Sequence, residues 1–267
     1  MTGIEFRAEG GRVSIQGGVA IVTGGATGIG RAVCEGLAAR GAEAVVVDYA
    51  HSRDAAEELA TRLRAGGTAA RAVQADVADE GAVRDLVGQV VDRHGRLDIL
   101  VNCAAVTRFV PHPDLDALTD DAWRDLLQTN LMGPFYTART AAPALRRARG
   151  AIVNVASIAG HRATGSSIPY AVSKAALLQL TRSLAIALAP DVRVNAVSPG
   201  HVDTRWHRDH LGDEGADELA RRNAQSEPLG RVAVAEDVAE VILNLLETPM
   251  VTGQTLIVDG GKHLKYA

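Results

Sequence analysis

Short runs of apolar, mostly β-branched residues recur along the chain, and a stretch with helical periodicity usually follows each. The runs are Val19–Thr23, Ala44–Asp48, Ala70–Ala75, Leu97–Asn102, Ala151–Ala156, Val192–Val197 and Thr255–Val258. They are continuously apolar rather than alternating, which predicts strands buried on both faces of a parallel sheet. Amphipathic stretches such as Arg31–Ala39, Arg53–Arg64 and Ala82–His94 predict helices between them. The alternation predicts an α/β fold: a doubly wound parallel sheet with helices on both faces. No Pro/Gly/Ser-rich linker interrupts it, so residues 1–267 read as a single domain. The segment Val202–Leu229 breaks the rhythm, being long, charged and free of strand patterning, and is expected to form a lid over a binding site.

Composition narrows the function classes. The chain has 267 residues, 47% apolar and 22% charged, enough to bury a core without disulfides or structural metal. A net charge of -4 gives no electrostatic footprint for nucleic acid or an anionic membrane. No uninterrupted apolar run approaches the ~20 residues of a bilayer span. The segment Met1–Arg12 mixes charges with glycine and carries no secretory apolar region, so a cytoplasmic address is expected. Cys34 and Cys103 lack metal-ligand spacing, both read as packed thiols, and no metal site is expected.

The first strand runs into Thr23-Gly24-Gly25-Ala26-Thr27-Gly28-Ile29-Gly30, and a helix is expected at once. Glycines at 24, 28 and 30 suit a tight turn, backbone approach to a pyrophosphate, and close helix–sheet packing. The phosphates would meet the helix N-terminus, where free amides and the dipole favour anions. Asp48, at the end of the second strand, lies eighteen residues past Gly30, the place for an acid that binds ribose hydroxyls. Together these are the marks of a Rossmann dinucleotide site.

Tyr170 and Lys174 are four apart at the start of an alanine-rich helical stretch, so both fall on one helix face. A phenol with an ordinary pKa of ~10 is a poor base at neutral pH, and a neighbouring ammonium favours its phenolate. Ser157 ends the fifth strand, at the sheet edge where ligands bind.

These residues resemble the short-chain dehydrogenase/reductase family. The similarity runs from about Arg12 to Gly261. It takes in the Thr23–Gly30 turn, Asp76-Val77, Asn130 in Asn130-Leu131-Met132-Gly133, and Ser157 thirteen residues before Tyr170. It continues through Tyr170-x-x-x-Lys174, Pro199-Gly200 with Thr204, and the closing Gly253–Gly261 segment. The resemblance implies an NAD(P)-dependent oxidoreductase interconverting a secondary alcohol and a ketone, similar to the 3-oxoacyl-carrier-protein reductase and polyol dehydrogenase branches. It implies Tyr170 as acid or base, and Lys174 as the group that lowers the phenol's pKa and holds the nicotinamide ribose. Ser157 would hold the substrate oxygen, and Asn130 would anchor a water leading to solvent. For the cofactor it implies Gly24, Thr27, Gly28, Ile29 and Gly30 at the pyrophosphate, Asp48 at the adenosine ribose, and Asp76 and Val77 at adenine. Asn102 and Ala104 would meet the adjoining ribose, with Pro199, Gly200, Val202 and Thr204 around the carboxamide. A homotetramer is implied as well.

The chain departs from the family after the fourth strand. Asn102-Cys103-Ala104-Ala105 stands where Asn-Asn-Ala-Gly is usual, so Ala105 brings a methyl towards the cofactor. NAD is expected over NADP, because a 2′-phosphate beside Asp48 would bring like charges together. Thr27 holds a place where NADP-using relatives often carry a base, and Arg53 reads as solvated. An NADPH-dependent 3-oxoacyl-type ketoreductase is the alternative. A non-catalytic nucleotide-binding regulatory protein is a further rival, opposed by the intact Asn130, Ser157, Tyr170 and Lys174. The substrate is left open. Arg108, His161 and Arg162 are candidates to meet a polar or anionic one.

Overall fold

The computed structural model describes residues 13–265; the segment on which the missing secretory region was read lies outside them. Seven parallel strands form one sheet in the order β3-β2-β1-β4-β5-β6-β9. They are β1 (Val19–Thr23), β2 (Ala44–Tyr49), β3 (Ala69–Gln74), β4 (Ile99–Asn102), β5 (Ala151–Val155), β6 (Arg193–Pro199) and β9 (Thr255–Val258). The chain starts in the middle, winds outward to β3, then crosses back to β4, so the winding reverses between β1 and β4. Ligands of open α/β sheets bind at the carboxyl ends of strands beside such a reversal.

Strands β1, β2, β4 and β5 are buried at every position, as the unbroken apolar runs predict. The edge strands β3 and β9 are partly exposed. One face carries α1 (Gly28–Ala39), α2 (Arg53–Ala65) and α8 (Ala235–Glu247), which pack Leu37, Leu59 and Ile242 against Val45 and Val101. The other carries α3 (Glu80–His94), α5 (Gly133–Ala148) and α6 (Ile168–Leu188), with Leu86, Ala141 and Leu184 against Leu100 and Ile152. Among the described residues α6 is long and apolar enough to cross a bilayer. Its buried face, Leu177, Thr181, Leu184 and Leu188, instead packs on the sheet. A further helix, α4 (Asp120–Leu127), runs into a π-helical turn at Gln128–Met132.

The segment 202–229 is not strand-free. Val202–Asp203 forms a short strand, β7, paired in parallel with β8 (Ala233–Val234). Helix α7 (Arg205–Ser226) follows and is broken at Gly212, whose φ of 70° and ψ of 172° lie outside helical space. Its charge on all sides hid the helix: only Ala216 is fully buried, so no apolar stripe marks a face.

Candidate active site

The carboxyl edge of the sheet opens into one cavity of about 1070 Å³. Gly24, Thr27, Gly28, Ile29, Asp48, Asp76, Val77, Ala104, Ser157, Tyr170, Lys174, Pro199, Gly200, Val202 and Thr204 all line it. Three expected site residues, Gly30, Asn102 and Asn130, are not on its wall.

Gly30 is a packing residue. A Cβ there would sit 2.2 Å from the Gly24 carbonyl oxygen, so only glycine lets α1 begin directly against the turn. Asn102 belongs to the sheet interior: its Nδ2 donates to Asn154 Oδ1 (2.9 Å), and its Oδ1 accepts from the Thr137 hydroxyl (2.7 Å). Asn154 Nδ2 then donates to Thr181 Oγ1 (2.9 Å), which donates onward to the Leu177 carbonyl (2.8 Å). This buried ladder links β4, β5, α5 and α6. The strand's period of two explains the mismatch with expectation, because it turns the Asn102 side chain away from the cleft. Asn130 is fully buried in the π-helical turn. Its Oδ1 accepts from Val106 N (2.9 Å) and its Nδ2 donates to Val106 O (3.0 Å) and Ser173 Oγ (3.1 Å). The amide thus braces the loop after β4 against α6.

Local sequence sets the catalytic trio. Ser167 caps α6 and accepts from Tyr170 N (3.4 Å), while Pro169 fits the first turn, where its missing N–H costs nothing. Ser173 Oγ donates to Tyr170 O (2.7 Å). Ser157 starts a tight turn over Ile158–Gly160, its Oγ accepting from Ala159 N (3.1 Å). A Cβ at Gly160 would lie 2.8 Å from the Lys174 carbonyl carbon, so glycine lets this turn press on α6 and brings Ser157 to Tyr170. Lys174 is 2% exposed; its Nζ donates to Val155 O (2.8 Å) and lies 5.8 Å from the Tyr170 ring centre.

Burial dominates the electrostatics here. It pushes the Tyr170 phenol up to about 12, against the lowering effect of the Ser157 hydroxyl, and holds Lys174 down at about 8. Tyr170 stands protonated at neutral pH, the state a proton donor needs. Cys103 packs against the core, as expected, and also lines the cavity; burial raises its thiol to about 11, which keeps it unreactive. Cys34 is the packed thiol expected.

At the far end of the cavity, Asp48 is 1% exposed. Its Oδ2 accepts from Gly24 N (3.3 Å), while Oδ1 is buried without a partner. Burial raises its carboxyl to about 7. An unpaired carboxylate oxygen between the glycine turn and Ser52 fits a pair of donating ribose hydroxyls. Arg53 is not simply solvated: it donates to Gln74 Oε1 (2.9 Å) and lies over the Tyr49 ring.

The remaining candidates miss the cavity. Arg108 pairs with Asp125 (2.7 Å), His161 bonds the Ser198 hydroxyl (3.0 Å), and Arg162 donates to the carbonyls of Lys262 and Lys265. In their place the wall beyond Tyr170 holds Phe109, His112, His201, and Trp206 and His207 of the expected lid, none of them singled out by the sequence. The density of histidine from 201 to 210, just past Pro199-Gly200, was the available signal.

The profile of a family described as enoyl-(acyl carrier protein) reductase matches residues 24–263. The ketoacyl reductase 2 assigned to the granaticin polyketide synthase of Streptomyces violaceoruber is 45% identical over 247 residues, 92% of this chain and 96% of that one. A solved protein of Burkholderia xenovorans, assigned as a short-chain dehydrogenase/reductase, superposes with a TM-score of 0.86 at 36% identity, over 93% of this chain and 98% of the other. The chain belongs to the short-chain dehydrogenase/reductase family. A gluconate 5-dehydrogenase of Burkholderia cenocepacia, solved with NADP and tartrate, is also similar to this short-chain dehydrogenase/reductase. Its TM-score is 0.85 at 31% identity, over 96% of this chain and 98% of the other. Membership makes the protein an oxidoreductase acting on keto or hydroxyl groups with a nicotinamide cofactor.

Proposed function

We propose that the protein is an NADH-linked reductase that converts a ketone to a secondary alcohol, and that it works as a homotetramer in the cytoplasm. The observation that carries this reading is one cavity with Ser157, Tyr170 and Lys174 at one end and the half-paired Asp48 carboxylate at the other. A nicotinamide held in this cavity would supply the hydride for the carbonyl carbon. The chain's own residues position and protonate. Ser157 donates to the carbonyl oxygen and holds it beside the phenol. Tyr170 gives that oxygen its proton as the new C–H bond forms. Lys174, an ammonium below about pH 8, stabilises the tyrosinate left behind and holds the ribose hydroxyls of the cofactor. Asn130 acts through the loop it braces. Asp48 accepts from the adenosine ribose, and α1 presents its N-terminal amides to the pyrophosphate. The ring-lined helix α7 serves as the lid of this single domain.

Exposed Ile186 and Met250, with Leu256 on the open edge strand β9, support the oligomer. Two free cysteines suit the reducing cytoplasm. The NADP in the Burkholderia cenocepacia relative supports an NADPH-linked alternative, which the half-paired acid at position 48 opposes. Tyr170→Phe tests the mechanism. Turnover should fall at least ~10⁴-fold with NADH affinity unchanged, since only the transferable proton is lost. A variant retaining a tenth of the wild-type rate would refute it.

A further inference from the structure

The end of the cavity beyond Tyr170 is walled by rings. The Trp206 ring centre lies 6.4 Å from that of Tyr170, at 51°. Phe109 sits 4.7 Å from His210 and edge-on to His207 at 6.3 Å. His207 stacks on His201 at 4.3 Å and 11°. The chain has only 3 Phe, 2 Trp and 4 Tyr. That three of these nine, from the loop after β4, from α6 and from α7, meet at one end of one cavity makes the rings a property of the site.

The wall also carries two cations: Arg205 lies 3.8 Å from the Asp209 carboxylate, and the Lys262 ammonium donates to the Asn223 amide oxygen and keeps its charge. Burial, then the neighbouring imidazole, lowers His201 to about 4, and burial with His210 lowers His207, so the stacked pair is neutral at physiological pH. His112 Nε2 and His207 Nδ1 are buried with no hydrogen-bond partner, and no other buried side-chain nitrogen among the described residues is left so. Buried polar atoms without partners are uncommon because they are costly.

From this juxtaposition we propose that the substrate is a planar, ring-bearing ketone with at least one further oxygen, held between Trp206 and Phe109 with that oxygen turned to His112 and His207. This rests on the ketone-reductase reading above. An aliphatic acyl chain would leave both nitrogens unpaired, and an open polyol would place its hydroxyls against ring faces. The break at Gly212 sets the first turns of α7, which bear Trp206 and His207, apart from the rest of the helix.

β-Tetralone and β-decalone share one skeleton and an isolated ketone, and differ in one aromatic ring. With NADH, kcat/KM for β-tetralone should exceed that for β-decalone by about tenfold, the effect of two aromatic contacts. A ring hydroxyl on the tetralone should raise it further. Trp206→Leu and Phe109→Leu should bring the ratio near unity, chiefly through KM, with NADH affinity by fluorescence unchanged; Trp206→Phe should restore it. A wild-type ratio near one, a ratio that survives in both leucine variants, or a straight-chain 3-oxoacyl thioester surpassing both ketones would overturn the proposal. Turnover of no ketone at all would sink the reductase reading instead. Calorimetry of β-naphthol with the NADH complex then decides the ring site: binding lost in Trp206→Leu supports it, and no binding by wild type overturns it.

Discussion

Asp48→Asn tests the cofactor reading with two readouts that share one cause. In the wild type the carboxylate is buried and half paired, with Oδ1 open to a donor. Ribose hydroxyls can pair it; a 2′-phosphate would bring a second negative charge to it. At an effective dielectric of about 20 and a separation of about 5 Å, two unit charges repel by about 3 kcal/mol. That is roughly a hundredfold in kcat/KM against NADPH. The asparagine removes the repulsion, so NADPH should gain by about that factor. NADH should lose several-fold, as charge-assisted hydrogen bonds become neutral ones. The second readout is pH. Burial raises the Asp48 carboxyl to about 7, and hydrogen bonds from ribose favour its ionised form. The complex therefore holds this proton less tightly than the free protein, and NADH affinity should climb with pH through about 7 and level off above. Discrimination against NADPH should fade as pH drops through the same range. The same group costs the folded chain stability as pH rises from about 4 to about 7, because the native state binds the extra proton there. Asp48→Asn should abolish all three trends. Stopped-flow kcat/KM for both cofactors from acid to alkaline pH, with calorimetric NADH binding, measures the first two. A wild-type preference for NADPH, or a pH-independent ratio that the variant leaves unmoved, refutes the assignment.

Other outcomes follow from single contacts. The rate of ketone reduction should fall as pH rises through about 8, where Lys174 loses its proton, and a pH–kcat profile flat across that range counts against the ammonium's role. Gly30→Ala places a methyl on the Gly24 carbonyl and should cost about 1–3 kcal/mol or more, together with cofactor binding. Gly88→Ala, in open space within α3, should stabilise by about 0.5–1 kcal/mol; paired urea melts check both. Light scattering should report four chains per particle, and a 28.0 kDa species at micromolar concentration would dismiss the tetramer.

What the sequence made legible was whatever a short motif encodes by itself. The glycine turn, Asp48, and the Ser157, Tyr170 and Lys174 set act through spacing on one element or at one strand end, and of these only Gly30 fails to reach the cavity. Asn102 shows the limit, since residue type does not say which face of β4 a side chain takes, and a ladder to Asn154 and Thr137 claims it. Arg108, His161 and Arg162 read as ligand-facing because their partners, Asp125, Ser198 and the carbonyls of Lys262 and Lys265, are distant in sequence. The ring wall stayed hidden for the same reason: Phe109 and Trp206 lie nearly a hundred residues apart and become neighbours of one cavity only through the fold.

The buried ladder of Asn102, Asn154 and Thr181 divides the molecule into parts with different freedom to change. It clamps β5 to α6, the two elements from which Ser157 and Lys174 extend, so the spacing of these groups is fixed beneath the sheet edge. The cover from Arg205 onward lies outside that clamp. Residues 205–229 can therefore drift, or be exchanged for those of a relative, and alter which molecules are accepted while the proton-donating apparatus stays in register. Libraries aimed at new substrates belong in that segment, and a substitution at Asn154 is the one to leave out.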